Sequence, residues 1–241
     1  MKIIIGNWKM NGDAATLAEM LDALRGIATE NTVIICPPAT LLYMAAGAPV
    51  AFGAQDVSAH ENGAYTGEIS AKMIVETGAK YTIVGHSERR MWHGETNDIV
   101  LQKATRALEN GLKPIICVGE TREEKEAGTT EMVIERQLKE SIPSCRMSHV
   151  TCHDLIVAYE PVWAVSGRGT GLVPTTDDIC KIHAYIAGIL KSMGLTGTAI
   201  LYGGSVNGDT AAEIMAIPNV SGVLVGGKSL KPADFLPIVK A

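Results

Sequence analysis

The chain has 241 residues, of which 46% are hydrophobic and 20% charged, enough to bury a sizeable core in one large domain or two small ones. Its 21 basic and 26 acidic residues leave a net charge of −5, which argues against a nucleic-acid partner. No apolar run approaches a membrane span and the five cysteines (Cys36, Cys117, Cys145, Cys152, Cys180) follow no repeating spacing, so a cytoplasmic protein with neither membrane partner nor disulfide framework is expected.

Eight short apolar runs punctuate the chain, at 2–6, 32–36, 50–54, 81–85, 114–118, 155–159, 198–202 and 222–226. Most are rich in β-branched residues and do not alternate with polar ones, the pattern of strands covered on both faces. Between them lie segments of helical periodicity. Residues 14–28 space Leu17, Met20, Leu21, Leu24 and Ile27 on one face behind a candidate cap at Asp13. Residues 96–108 do the same with Ile99, Val100, Ala104, Ala107 and Leu108, and residues 176–193 with Ile179, Ile182, His183, Ile186, Ile189 and Leu190 behind Thr175 or Thr176. Runs separated by roughly 20 to 40 residues leave room for one crossover helix each, so the strands are parallel. Eight such units with no linker or change of composition predict a single closed (β/α)₈ barrel over residues 1–241. An open doubly wound sheet is the alternative, but the turn after the first run lacks the glycine-rich dinucleotide fingerprint.

In a barrel of this kind, function collects just after each strand. Those positions carry Asn7 and Lys9, Gln55, then His86, Ser87, Glu88, Arg89 and Arg90, then Glu120, Glu160, the Gly203-Gly204-Ser205 turn and the Gly226-Gly227-Lys228 turn. Glu160 follows a buried-looking strand and precedes Pro161 and a segment with Gly167, Gly169 and Gly171, which is how a rigid general base beside a mobile lid would read. An ordinary surface turn reads the same way in isolation. So do a structural histidine at position 86 and a solvated lysine at position 9; their convergence on one face is what favours catalysis. Two glycine pairs after the last two strands suit an anion such as phosphate. Arg89, Arg90 and Glu120 are expected to pair charges beneath the loops, Cys117 to be a packed thiol, and His60, His93 and His183 to lack a role. Cys145, His149, Cys152 and His153 match no common zinc spacing, and no metal is expected.

The segments Asn7-Trp8-Lys9, 85–90, 158–164, 202–206 and 225–227 resemble, in order and spacing, the motifs of the triosephosphate isomerases, the family that gives the TIM barrel its name. The resemblance runs from the first strand to the last. It implies an isomerase of glycolysis and gluconeogenesis that interconverts dihydroxyacetone phosphate and glyceraldehyde 3-phosphate without a cofactor. It further implies Glu160 as the base, His86 as a neutral hydrogen-bond donor, Lys9 and Asn7 as stabilisers of the developing oxyanion, and Glu88 and Ser87 in support. Phosphate would rest near Ser166, Gly169, Ser205, Gly226 and Gly227. The long segment from Gln55 to Lys72 would insert, with Thr66 foremost, into the partner of a symmetric homodimer.

Two features depart from the family pattern. Where members usually carry Ile-Gly-Thr-Gly, this lid reads Val165-Ser166-Gly167-Arg168-Gly169-Thr170-Gly171, either with two glycines replaced or, the alignment we favour, with three residues inserted. Lys228 stands where a small residue usually follows the glycine pair, and could charge the phosphate site or point outward. A barrel that has lost catalysis and serves as a scaffold, or another phosphate-binding barrel enzyme such as an aldolase, are the competing readings.

Overall fold

The β-branched runs form β1 (Ile3–Asn7), β2 (Thr32–Cys36), β3 (Ala51–Ala54), β4 (Tyr81–Val84), β5 (Lys113–Val118), β6 (Ile156–Tyr159), β7 (Ala199–Tyr202) and β8 (Gly222–Val225). They pair in sequence order, all parallel, and β8 returns to β1 to close a barrel. The structure is a computed structural model and describes residues 1–144, 154–165 and 173–241. Helices α1 (Ala14–Leu24), α2 (Ala71–Glu76), α3 (Ser87–Trp92), α4 (Asn97–Glu109), α5 (Arg122–Glu126), α6 (Thr130–Ser141), α7 (Thr176–Ser192), α8 (Ala211–Ala216) and α9 (Pro232–Lys240) surround it. None is long and apolar enough to cross a membrane among the described residues.

Strand pleating sorts each run into two cores, because successive side chains point to opposite faces of the sheet. Ile5, Ile34, Cys36, Ile83, Ile115, Cys117, Ala158, Leu201 and Leu224 fill the barrel interior. Their neighbours Ile4, Val33, Ile35, Val84, Ile116, Val118, Val157, Ile200 and Val223 pack outward against the helices. The same parity, carried two residues further, turns Asn7, Glu160, Gly203 and Gly226 toward the mouth above Ile5, Ala158, Leu201 and Leu224. The chemistry is thus placed by the alternation that builds the core.

Caps mostly fall where the residue types put them. Asp13 accepts from the Thr16 N–H at 2.8 Å, and Thr175 and Asp178 form a reciprocal capping box at the start of α7. Helix α1, expected to reach residue 28, ends at Leu24, since Arg25 is extended and Gly26 follows at φ +72°, a left-handed turn that closes the helix early. Below the loops, Arg89 and Lys103 share Asp56 and Glu95 in a half-buried network, with Lys103 Nζ 2.7 Å from Asp56 Oδ2. Arg90 instead holds Asn97 Oδ1 at 2.6 Å and the backbone oxygens of Gly85 and Cys117.

Candidate active site

The turn after β1 is strained and braced. Lys9 sits at φ +52°, rare for a residue with a side chain and the sort of cost that persists where surrounding contacts impose it. Its N–H donates to Asn7 Oδ1 at 3.0 Å, and its carbonyl accepts from Gln55 Nε2 at 2.8 Å, the same amide that reaches Cys36 O at 2.9 Å. Lys9 Nζ lies 2.6 Å from Glu88 Oε1, so the ammonium is held over the mouth by a carboxylate from α3. Gln55 therefore supports the Lys9 turn from the end of β3. Nothing local in the sequence announces this, because the two residues meet only through the barrel.

His86 leads into α3 and is 5% exposed; Glu160 leaves β6 and is 3% exposed. The Glu88 N–H donates to His86 Nδ1 at 3.2 Å, which assigns Nδ1 as the unprotonated nitrogen of a neutral ring. Nε2 then carries the hydrogen and directs it at Glu160 Oε1, 3.2 Å away. Glu160 Oε2 accepts from the Ser87 N–H at 3.4 Å. Burial by itself pushes the Glu160 carboxyl up; the hydrogen bond from His86, the charge of Lys9 and the Ser87 N–H act in the opposite direction and favour the ionised form. An ionised carboxylate, a neutral imidazole and an ammonium thus face one space.

That space is a cavity of about 290 Å³ lined by Asn7, Lys9, Asn11, His86, Glu160, Val165, Gly203, Gly204, Leu224, Gly226 and Gly227. On its far side the walls are bare backbone. Gly203 has no room for a side chain, since a Cβ there would lie 2.6 Å from Glu160 Cγ; at Gly227 a Cβ would meet nothing within 4 Å among the described residues. Ser205 Oγ donates to Ala164 O at 3.0 Å, which ties the end of β7 to the first turn after Glu160. Lys228 points outward to Asp234 Oδ1 at 3.1 Å on α9 and adds no charge to the cavity.

Behind Glu160, the carboxylate of Glu120 accepts from Trp163 Nε1 at 2.8 Å and from Tyr159 Oη at 3.2 Å. Charge pairing was the sequence expectation for Glu120; it instead serves two neutral donors, and burial pushes its pKa up despite them. Cys117 is a free thiol sealed in the barrel, and burial followed by the charge of Glu160 raises it well above the ordinary thiol range, so it is no nucleophile. His183 is fully buried on α7, edge-on to Tyr159 with 6.0 Å between ring centres. Thr66 is exposed on a loop closed by the Ser58 N–H to Ile69 O bond at 2.8 Å. The lid positions Ser166, Gly167, Arg168 and Gly169, and the cluster Cys145, His149, Cys152 and His153, lie outside the described residues.

Comparison with known proteins gives one answer. A family model described as triosephosphate isomerase matches residues 2–241. The triosephosphate isomerase of Afipia carboxidovorans is 49% identical over 250 residues, covering 99% of this chain and 96% of its own. That of Cupriavidus necator is 45% identical over 247 residues, covering 100% and 99%. The crystal structure of triosephosphate isomerase from Bartonella henselae superposes with a TM-score of 0.87 at 40% identity, covering 98% of this chain and 97% of that one.

Proposed function

The chain belongs to the triosephosphate isomerase family, and from that premise we propose that Glu160, His86, Lys9 and Asn7 carry out the family's reaction in this protein. That reaction is the isomerisation of dihydroxyacetone phosphate and D-glyceraldehyde 3-phosphate, a step of glycolysis and gluconeogenesis.

The observation that carries the assignment is the Glu160–His86 contact across a cavity that also holds the Lys9 ammonium. Glu160 is ionised and can accept a proton from the hydroxyl-bearing carbon beside the substrate carbonyl. The C–H electron pair becomes the second bond of an enediolate, and the carbonyl π pair moves onto oxygen. The His86 Nε2–H, which Glu160 Oε1 now accepts, turns to that oxygen, while Lys9 stabilises the growing negative charge. Glu160 then returns the proton to the neighbouring carbon, while the hydroxyl proton passes from the first oxygen to the former carbonyl oxygen. His86 Nε2 can relay that transfer by giving its hydrogen to the one and taking the hydrogen of the other, so carboxylate and imidazole are both regenerated and no cofactor is consumed. Exclusion of water by a closing lid would strengthen both the base and the electrostatic stabilisation.

The phosphate is assigned to the backbone side of the cavity, at Gly226, Gly227 and Ser205, with Ser166 and Gly169 contributing from the lid. Glycines there let the anion approach N–H groups directly. We assign no metal, nucleic-acid or membrane partner and place the protein in the cytoplasm. A homodimer is supported by exposed apolar groups on and beside the 55–72 segment: Tyr65 and Ile69 belong to it, and the exposed Met10 lines the same cavity as Ile69. Light scattering at micromolar concentration should give twice the 25.5 kDa chain mass; the mass of one chain refutes the dimer.

The site assignment is tested by a coupled assay with glyceraldehyde 3-phosphate on wild type and Glu160→Gln. The variant should lose about 10²–10⁴-fold in kcat, the usual share of a positioned base. Equal rates would remove Glu160 from the mechanism.

A further inference from the structure

Glu160 is held by its backbone as well as by its carboxylate contacts. Its N–H donates to Val118 O at 2.8 Å, and two residues on, the Val162 N–H donates to Glu120 O at 3.0 Å. The intervening Gly119 packs directly on the Glu160 peptide: a Cβ at Gly119 would lie 1.9 Å from the Glu160 carbonyl oxygen. Any displacement of Gly119 is therefore passed to the base.

In a parallel sheet, successive residues of a strand direct their N–H and C=O to opposite neighbours. Val118 and Glu120 face β6, so Gly119 and Cys117 face the side of β4. But β4 ends at Val84, paired to Ile116, and the chain turns away into α3. The end of β5 thus extends past its neighbour and leaves unpaired backbone at the point that abuts the base. Side chains fill the gap. Arg90 donates to Cys117 O at 3.3 Å. Gln137, on α6 and 9% exposed, makes a matched pair with Gly119: its Oε1 accepts from the Gly119 N–H at 2.7 Å and its Nε2 donates to Gly119 O at 3.1 Å. One amide supplies both bonds that a strand would have made.

We propose that Gln137 is a positioning residue for the base, its side-chain amide standing in for the missing strand beside β5 and fixing Glu160 through Gly119. The inference rests on the assignment of Glu160 as base. It predicts that losing the amide loosens the carboxylate by a fraction of an ångström or more and lowers kcat, while the cavity walls that bind substrate stay as they are. A 1 Å misplacement of a reacting group can cost about 10²-fold.

The test uses two variants of the full chain. Gln137→Leu should lose at least about tenfold in kcat with KM within about twofold. Gln137→Glu separates this role from ordinary packing. Protonated, the carboxyl reproduces the amide, with its O–H donating to Gly119 O and its C=O accepting from the Gly119 N–H. Ionised, it has no donor and sets a negative oxygen against Gly119 O. The ratio of variant to wild-type kcat should therefore rise toward one as pH falls through the introduced carboxyl and drop above it. Arg90 from α3, Glu124 from α5, Cys117 from β5 and Glu160 from β6 line the same cavity as Gln137, and all are present in both proteins, so the ratio isolates the new group. Wild-type kcat in Gln137→Leu, or a Gln137→Glu ratio that is low and flat with pH, overturns the proposal. If Gln137→Leu does not fold, the Gln137→Glu profile alone decides. Persistence of turnover in Glu160→Gln would instead refute the base assignment itself.

Discussion

The two sides of the mouth are built from different material. On the β1, β4 and β6 side, side chains do the work, and each is braced by another: Lys9 by Glu88 and Gln55, His86 by the Glu88 N–H, Glu160 by Ser87 and His86. On the β7 and β8 side the cavity wall is glycine backbone at Gly203, Gly204, Gly226 and Gly227. A proton-transferring group must be held to a fraction of an ångström, and that takes side chains with second partners. An anion with several equivalent oxygens is satisfied by any N–H groups that can come close, and that takes the absence of side chains.

Substitutions should expose that asymmetry. After Glu160→Gln, the largest effect is expected at Lys9→Met, which removes the cation from the oxyanion side: kcat/KM should fall about 10²–10³-fold in steady-state assays. The acid limb of its pH profile should also move to higher pH. Lys9 is one of the interactions that favour the ionised Glu160 against burial, so without it the carboxyl protonates earlier as pH falls. An unshifted limb would mean that Lys9 does not act on the base. Next comes a paired comparison across the glycine wall. Gly203→Ala places a methyl 2.6 Å from Glu160 Cγ and should cost about 10²-fold in kcat, whereas at Gly227 the same methyl meets no described protein atom and crowds only the phosphate, so kcat should stay within about threefold while KM rises. Equal losses at the two positions would erase the distinction between a wall that fits the base and one that is open to substrate.

The smallest effect on turnover should come from behind the wall. His183 is buried and neutral, with its pKa pushed from 6.5 to about 4 by desolvation, partly offset by Asn219 O. For a histidine with a depressed folded pKa, the stabilising contribution is complete above the unfolded value and is lost as pH falls from 6.5 through about 4. Urea unfolding of the wild type should weaken across that window by up to about 3 kcal/mol, and His183→Asn should lack that part of the slope while keeping most of its kcat. A variant with the wild-type slope would place the acid sensitivity elsewhere.

Much of this arrangement is legible in the sequence, and for a reason. The eight strands announce themselves through β-branched runs, so Asn7, Lys9, His86 and Glu160 could be read off as residues at or just past the strand ends; pleat parity accounts for Asn7 and Glu160, whereas His86 has the parity of the outward-facing Val84 and is aimed by the turn into α3. Bracing contacts leave no such mark. Gln55 meets Lys9 from 46 residues away, Trp163 meets Glu120 from 43, and Gln137 reaches Gly119 from 18. Each is an ordinary polar residue in its own neighbourhood, and only closure of the barrel makes it a partner. His183 shows the same limit in the core: its helical spacing was visible, but an imidazole on that face carries no sign of how deeply it is buried. Lys228 was ambiguous because a long flexible stem can follow either direction, and Asp234 on α9 decides it.

The central claim is that the Glu160 carboxylate takes the proton from carbon. A proton held on a carboxylate can exchange with solvent, so isomerisation of dihydroxyacetone phosphate in D₂O should place deuterium at the carbon beside the carbonyl, readable by NMR. Wild type should exchange that hydrogen alongside turnover, and Glu160→Gln should lose exchange and isomerisation together. Exchange at the wild-type rate in Glu160→Gln would contradict the account, because another group would then be taking the proton.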